Sequence, residues 1–184
     1  MFCSLRYWDQ DFLVWLNNLG SEPYDAFWIF VTHIESWTPL FLYFIGIVLY
    51  YHKGKKGAVL LLGGIVTFIV TLAITDFTKT HVGRIRPNNL ATLSDLLRVL
   101  KTPTSYSFFS GHASSSFCIV IFLVLCLRKF NLWVYLIFIW PILFAGSRIY
   151  VGVHYPSDIL VGAFVGSILA VLGYRCSAYL AKKV

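Results

Sequence analysis

The chain has 184 residues, of which 58% are hydrophobic and only 12% are charged. Soluble domains usually carry about 25% charged residues, so this composition excludes an ordinary soluble domain and indicates a protein integral to a membrane. The net charge of +7 fits membrane orientation and anionic lipid, and no basic run interleaved with aromatic residues points to a nucleic-acid partner.

The N-terminal residues, 1–35, predict interfacial and partial helices. Residues 9–19 place apolar side chains at helical spacing, which favours a short helix lying in the membrane interface. These side chains are Phe12, Leu13, Trp15, Leu16 and Leu19. Residues 23–34 are apolar but too short to span alone, so they either extend the first span or form a sixth, partial helix.

The rest of the chain contains five segments that approach the roughly 20 apolar residues of a spanning helix. The first segment ends with residues 39–51, and the others lie at about 57–78, 109–127, 131–149 and 157–180. The one long polar connection, about 79–108, is predicted to be an active-site loop. The expected fold is therefore all-α: one domain over 1–184, a polytopic membrane bundle of five to six transmembrane helices with a short N-terminal interfacial helix.

The charges divide between the two faces that such a topology creates. Residues 52–57, 128–130 and the C-terminal tail are rich in Lys and Arg and contain no acid. The positive-inside rule places this face in the cytoplasm. The polar clusters described next would then face the periplasm or cell exterior of a bacterial inner membrane.

Three short polar clusters border the apolar runs, where ionisable groups are functional candidates. In the first, Lys79 and Arg86 lie seven positions apart, which would put both on one face of a helix. In the second, Ser110 and Gly111 begin an apolar run. Ser110 is a natural N-cap, and the free N–H groups of a helix start favour an anion. His112 follows in the first turn.

The third cluster joins Arg148, His154 and Asp158. The four-residue spacing lets the Asp158 carboxylate accept the Nδ1–H of His154, which fixes the tautomer and raises the basicity of the other nitrogen. Taken singly, a lipid-headgroup anchor, a plain helix start and a structural His–Asp pair would explain the three clusters. Together, their three cations, two histidines and carboxylate predict a site that holds a phosphate and transfers it.

At these residues the chain resembles the type 2 phosphatidic acid phosphatase (PAP2) family, which shares its fold and site with the vanadium haloperoxidases. The family signature reads K-x6-RP, then PSGH, then SR-x5-H-x3-D. The matching residues are Lys79 with Arg86-Pro87, Ser110-Gly111-His112, and Ser147-Arg148 with His154 and Asp158. Phe109 stands where the family usually has proline, which predicts altered loop geometry with the chemistry retained.

The resemblance implies a role for each of these residues. His154 would attack phosphorus to form a phosphohistidine, Asp158 would orient it, and His112 would protonate the leaving group and then help to activate water. Lys79, Arg86, Arg148, Ser110 and Gly111 would bind the phosphate. No cofactor and no metal is implied, and His33, His52 and His81 show no ligand spacing. Arg84 matches no family position and is expected to contact the headgroup.

The expected function is a membrane lipid phosphate phosphatase. Its substrate would be a polyprenyl diphosphate, phosphatidate, phosphatidylglycerol phosphate or lipid A phosphate. A phosphotransferase that passes the phosphate to a lipid acceptor would use the same residues. A non-catalytic lipid-binding or transport protein would need the cations without the His154–Asp158 pair. A haloperoxidase is disfavoured, because those relatives are expected to be soluble.

Overall fold

The computed structural model describes residues 2–184, with side chains from Tyr7 onward, and every regular element in that range is helical. The α-helices are α1 (Phe2–Asn18), α2 (Asp25–Thr32), α3 (Thr38–Tyr51), α4 (Lys55–Val82), α5 (Ala91–Ser94), α6 (Gly111–Leu127), α7 (Ile139–Tyr150) and α8 (Pro156–Ala181). Short 3-10 helices lie at Glu22–Tyr24, Ile34–Trp37, Pro87–Asn89 and Leu132–Phe138.

Four helical stretches of the described chain are long and apolar enough to cross a membrane. They are Ile34–Tyr51, Lys55–Ser94, Leu132–Tyr150 and Pro156–Ala181. The protein is therefore a polytopic helical membrane protein. The remaining expected span, 109–127, corresponds to α6, an apolar helix of 17 residues. A total of five or six spans therefore stays a prediction.

Helix α6 lies at the centre of the bundle and packs most extensively against α8. Two glycines of α8 permit this close approach. A Cβ atom on Gly166 would lie 2.1 Å from the carbonyl oxygen of Ser114, and one on Gly162 would lie 2.6 Å from that of Ser110. Because any larger residue would push the helices apart, these glycines hold the start of α8 against the start of α6.

The chain direction brings all three polar clusters to one end of the bundle. Helices α4 and α7 end there, with Lys79 and Arg148 in their last turns. Helices α6 and α8 begin there, with Ser110 as the N-cap and Asp158 in the first turn. The short connections at the opposite end carry the Lys- and Arg-rich segments.

Helix α4 ends later than the sequence predicted, and this changes the geometry of the first cluster. The helix continues to Val82, where Gly83 adopts a left-handed conformation (φ 59°) and its N–H bonds the Lys79 carbonyl at 3.0 Å. Glycine reaches this conformation without a Cβ penalty. Lys79 is therefore helical and Arg86 lies beyond the helix, so the expectation that both share one helical face was wrong.

Helix α1 is longer than the predicted 9–19 segment, and the side that packs on the protein is partly polar. Asp9, Leu13 and Asn17, spaced by four, are buried, whereas Trp15 and Leu19 are 57% and 65% exposed. The Asn17 side-chain amide donates to the Tyr150 carbonyl at 2.8 Å, at the end of α7. Trp15 and Leu19 thus face outward, as an interfacial helix requires, whereas Leu13 packs against the protein beside the polar Asp9 and Asn17.

Candidate active site

His154 and Asp158 form a fully buried pair at the start of α8. The Nδ1 atom of His154 lies 3.2 Å from Oδ2 of Asp158, and the exposed fractions are 1% and 0%. The same carboxylate oxygen accepts the backbone N–H of Tyr155 at 3.1 Å. Because Pro156 begins the helix, His154 precedes it and Asp158 lies in its first turn. The structure thus has the contact that the four-residue spacing predicted.

The other imidazole nitrogen of His154 faces Arg86. Nη1 of Arg86 lies 3.0 Å from Nε2 of His154. A guanidinium only donates hydrogen bonds, so Nε2 accepts and is unprotonated. The proton of the neutral ring is then on Nδ1, where the Asp158 carboxylate accepts it. In this tautomer the electron pair of Nε2, which accepts the Arg86 hydrogen bond, is the one that could attack an electrophile.

Arg86 is itself held by backbone and hydroxyl acceptors. Its Nε donates to the Ser105 carbonyl at 2.6 Å, its Nη1 to the Val153 carbonyl at 2.9 Å, and its Nη2 to the Ser105 hydroxyl at 3.0 Å. These bonds fix the guanidinium beside Nε2. A phosphoryl group attacked by that nitrogen would therefore be in contact with a positioned cation.

Burial holds the pKa of His154 well below its usual range, and the positive charges of Arg86, Arg148, Lys79 and Arg84 lower it further. Loss of water disfavours the imidazolium form, and nearby cations repel it. His154 is therefore neutral at neutral pH, which is the form a nucleophile needs.

Lys79 and the start of α6 lie beside this pair. A Cβ atom on Gly111 would be 4.0 Å from Nζ of Lys79. The Ser110 hydroxyl accepts the Ala113 N–H at 3.4 Å, so Ser110 is the N-cap as predicted, and the Ser110 N–H bonds the Asp158 carbonyl at 3.0 Å. The helix start thus directs its N-terminal dipole toward the region that Lys79 lines.

Arg148 and His112 meet at Thr32, the last residue of α2. Nη1 of Arg148 donates to the Thr32 hydroxyl at 2.6 Å, and Nε2 of His112 donates to the Thr32 carbonyl at 3.1 Å. The His112 ring stacks on Phe144, with centroids 4.4 Å apart. Nε of Arg148 is buried and has no hydrogen-bond partner, which leaves a donor for an anion.

All eight residues that the sequence selected lie at this end of the bundle. Lys79 is close enough to interact electrostatically with Arg86, Arg148 and Asp158. His112 interacts in the same way with Arg148 and His154. Phe109, which replaces the usual proline, is 3% exposed, and α6 still begins at Gly111. Two buried arginines, one of them with an unpaired Nε, together with Lys79 and a neutral histidine, suit the binding of a dianionic phosphate.

Sequence reasoning missed three residues that touch the site. Thr32 contacts Arg148 and His112, and the Ser107 hydroxyl donates to Oδ2 of Asp158 at 2.5 Å. Asp9 bonds Arg84 at 2.7 Å. Ser107 lies three residues before Ser110, so its place next to the second cluster was a signal that could have identified it. Thr32 and Asp9 lie far from their partners in the sequence, and no local pattern marks them.

Arg84 differs from its expected role. Its Nη1 donates to Oδ1 of Asp158 at 2.6 Å and to the Ser157 hydroxyl at 2.8 Å. Its Nη2 donates to Oδ2 of Asp9. With both edges of the guanidinium bound to protein groups, Arg84 is part of the protein framework, and the expectation of a headgroup contact was wrong.

Comparisons with known proteins identify the family of this chain. The model of the PAP2 superfamily matches residues 58–182. A lipid A 4'-phosphatase of Bacteroides thetaiotaomicron is 29% identical over 86% of this chain and 72% of its own length. An undecaprenyl-diphosphatase of Sulfolobus acidocaldarius is 30% identical over 60% of this chain and 52% of its own.

A solved structure shows the same fold. The transmembrane PAP2-type phosphatidylglycerolphosphate phosphatase from Bacillus subtilis aligns with 96% of this chain and 87% of its own, with a TM-score of 0.73 and 20% identity. The match spans the three clusters and the helices that carry them, so the resemblance expected from the signature is confirmed. The chain belongs to the PAP2 superfamily of membrane lipid phosphatases.

Proposed function

We propose that this protein hydrolyses a phosphomonoester or diphosphate of a membrane lipid through a phosphohistidine on His154. One observation carries the proposal: Arg86 lies 3.0 Å from Nε2 of His154 while Asp158 contacts Nδ1. The nucleophilic nitrogen is thus unprotonated and oriented, and it adjoins a cation that binds phosphate oxygens.

The reaction has two displacements at phosphorus. The Nε2 electron pair of His154 forms the P–N bond, and the P–O bond to the leaving group breaks with its electrons on that oxygen. His112, protonated at both nitrogens beside the bound phosphate, gives its Nδ1 proton to the leaving oxygen and, as the neutral ring, takes one back from the attacking water. The water oxygen attacks phosphorus, the P–N bond breaks, and its electrons return to Nε2.

Lys79, Arg86 and Arg148 supply the charge stabilisation that this transfer needs. Phosphoryl transfer depends mainly on positioning and on electrostatic stabilisation of the phosphate oxygens. Three cations, with the unpaired Nε of Arg148 among their donors, can supply both without a divalent ion. We therefore expect metal-independent activity. Nowhere in the described chain do three or more His, Cys, Asp or Glu side chains form a possible metal site.

An apolar groove supports a lipid as the substrate. It lies between α3, α4 and α6, measures about 370 Å³, and is lined by residues such as Phe41, Ile45, Gly64 and Phe122. Its lining includes Ile34, two residues from Thr32, which contacts Arg148 and His112. The groove is thus joined to the phosphate-binding end by a short segment, and a hydrocarbon tail would fill it while the phosphate lies among the cations.

The names of the relatives suggest candidate headgroups. Lipid A, undecaprenyl diphosphate and phosphatidylglycerol phosphate differ in tail and headgroup but share a phosphate that borders the membrane. We propose that the substrate belongs to this group or is phosphatidate.

The test is phosphate release by the purified, detergent-solubilised protein in EDTA across a panel of these lipids. Release of phosphate would establish a metal-independent lipid phosphatase and rank the substrates. Activity that disappears on chelation and returns with a divalent ion would overturn the metal-free mechanism. An acceptor-dependent phospholipid product, without free phosphate, would favour the phosphotransferase, and tight lipid binding without turnover would favour the non-catalytic alternative.

A further inference from the structure

Arg84 joins two buried carboxylates that lie far apart in the sequence. Its Nη1 lies 2.6 Å from Oδ1 of Asp158, and its Nη2 lies 2.7 Å from Oδ2 of Asp9. The Arg84 side chain is 18% exposed, and those of Asp9 and Asp158 are 5% and 0% exposed. The guanidinium also lies 3.8 Å above the ring of Tyr155. Its position is thus fixed from both edges and from one face.

Asp9 is attached to the start of α8 as well as to Arg84. Its Oδ1 accepts the backbone N–H of Ser157 at 2.9 Å, and its Oδ2 accepts the Ser157 hydroxyl at 2.5 Å. Ser157 directly precedes Asp158. A negative charge at this first turn is favourable for the helix. Asp9 therefore fixes the first turn of α8 directly and through Arg84.

The charge on Asp158 depends on this arrangement. A fully buried carboxylate is costly unless a cation or several donors compensate it. Oδ2 of Asp158 contacts His154 and accepts the Tyr155 N–H, whereas Oδ1 is bound by Arg84. Arg84, together with the Ser107 hydroxyl on Oδ2, therefore favours the ionised form of Asp158 and orients it as the partner of His154. Asp9 keeps Arg84 in place by binding its other edge.

We propose that Asp9 and Arg84 are positioning residues for the catalytic pair His154 and Asp158, so that α1 is part of the catalytic apparatus. The proposal rests on the proposed phosphatase function. It adds an N-terminal segment that lies outside the matched region, 58–182. Neither residue is proposed to touch the phosphate; Asp9 acts through Arg84 and through Ser157, and Arg84 acts through Asp158.

The test is a double-mutant cycle on kcat with Asp9→Asn, Arg84→Gln and the double variant. A misplacement of about 1 Å can cost a factor of about 100, so we expect each single variant to lower kcat about 10- to 100-fold. KM should change less than threefold, because the phosphate-binding cations remain. Because Asp9 acts partly through Arg84 and partly through Ser157, the double variant should be slower than Arg84→Gln, but by a smaller factor than Asp9→Asn costs in the wild type. Fully additive losses would overturn the action of Asp9 through Arg84.

Controls separate positioning from simple loss of fold. Asp25 pairs with Arg98 at 2.8 Å and attaches α2 to the connection before α6, so Asp25→Asn removes a comparable ion pair away from His154. It should leave kcat unchanged. Asp9→Glu retains the charge and should recover part of the kcat lost in Asp9→Asn. For every variant, kcat is divided by the folded fraction, which thermal unfolding measures.

The outcomes also separate this proposal from the function on which it rests. If the wild type releases phosphate and Asp9→Asn retains full kcat, the positioning role is overturned and the phosphatase stands. A fall in kcat that only tracks loss of folded protein, without rescue by Asp9→Glu, would also overturn it. If the wild type acts on no lipid, both proposals fail together.

Discussion

The two histidines of the site differ in what their Nε2 atoms face. Nε2 of His154 faces the Arg86 guanidinium, so it is an acceptor, whereas Nε2 of His112 faces the Thr32 carbonyl and must donate. This difference in hydrogen-bond role fits the proposal that His154 is the nucleophile and His112 the acid. Because Nε2 of His112 is bound to the Thr32 carbonyl, the proposed proton exchange with the substrate uses Nδ1 of the doubly protonated ring.

Replacement of the nucleophile should remove turnover. In His154→Ala no imidazole nitrogen remains to form the P–N bond, so we expect phosphate release to fall by more than about 10³-fold. His52→Ala is the matched control, because His52 bonds the Cys126 carbonyl at 2.9 Å, at the opposite end of the bundle. Comparable activity of His154→Ala and the wild type would end the nucleophile assignment.

The dependence of kcat/KM on pH should show that the enzyme is active when His154 is neutral. Burial and four cations lower the pKa of His154 below its usual value, and only the unprotonated ring can attack. The activity, kcat/KM, should therefore fall with decreasing pH only below the usual histidine range of about 6.5. We would measure the profile with two substrates whose phosphates titrate differently. An acid limb that shifts with the substrate would assign the titration to the lipid phosphate.

At the scale of single elements, sequence patterns predicted the helices that carry the site but misplaced some of their ends and faces. The signature residues fall within or next to the predicted spans, and the four-residue spacing of His154 and Asp158 correctly predicted their contact. The end of α4 was missed because its last turn is polar, and hydropathy cannot separate a polar helical turn from a loop. Gly83 was the available local signal.

Helix α1 shows a second limit of the sequence patterns. Its apolar spacing indicated a helix in the membrane interface but not which side packs on the protein, where the buried positions include Asp9 and Asn17. In a membrane, apolar side chains also face lipid, so hydrophobicity does not separate the inside of the bundle from its outside. The polar partners of these residues lie as far as 148 positions away in the sequence. A single sequence has no pattern that reports such contacts.

If the groove beside α4 binds the lipid tail, a substitution that fills it should weaken tail binding without changing the reaction at phosphorus. Gly64 lines the groove beside Phe122, and a Cβ atom added to it would lie 3.3 Å from the Phe122 ring. The larger side chain of Gly64→Leu would therefore occupy part of the groove that we propose for the tail. Losing burial of two methylene groups costs about 1.6 kcal/mol, or roughly tenfold in kcat/KM. We expect this loss with a long-chain lipid phosphate and little change with a short-chain, water-soluble analogue.

Gly46→Leu is the matched control for this experiment. Gly46 lies on α3, and a Cβ atom added to it would have no neighbouring atom within 4 Å, so the same substitution leaves the groove open. Equal losses with long- and short-chain substrates in Gly64→Leu would indicate a disturbed helix, and the groove would then have no role in binding the tail.

For the whole molecule, the site and the C-terminus lie at opposite ends of the bundle. Helix α8 begins at the site with Asp158 and ends at Ala181, and α6 runs in the same direction. The end away from the site carries Lys53, Lys55, Lys56, Arg128, Lys129, Arg175, Lys182 and Lys183, without an acid in 52–57, 128–130 or 175–184. This asymmetry favours a cytoplasmic location for that end.

The asymmetry predicts the orientation in the membrane, and this prediction is open to direct measurement. A fluorescent protein fused after Val184 should mature in the cytoplasm, and a phosphatase reporter at the same point should stay inactive. In a background without Cys3 and Cys176, Asn89→Cys should react with an impermeant maleimide in intact cells, whereas Lys129→Cys should react only after lysis. The reverse pattern would place the site in the cytoplasm, where lipid phosphates of the inner leaflet would be its substrates.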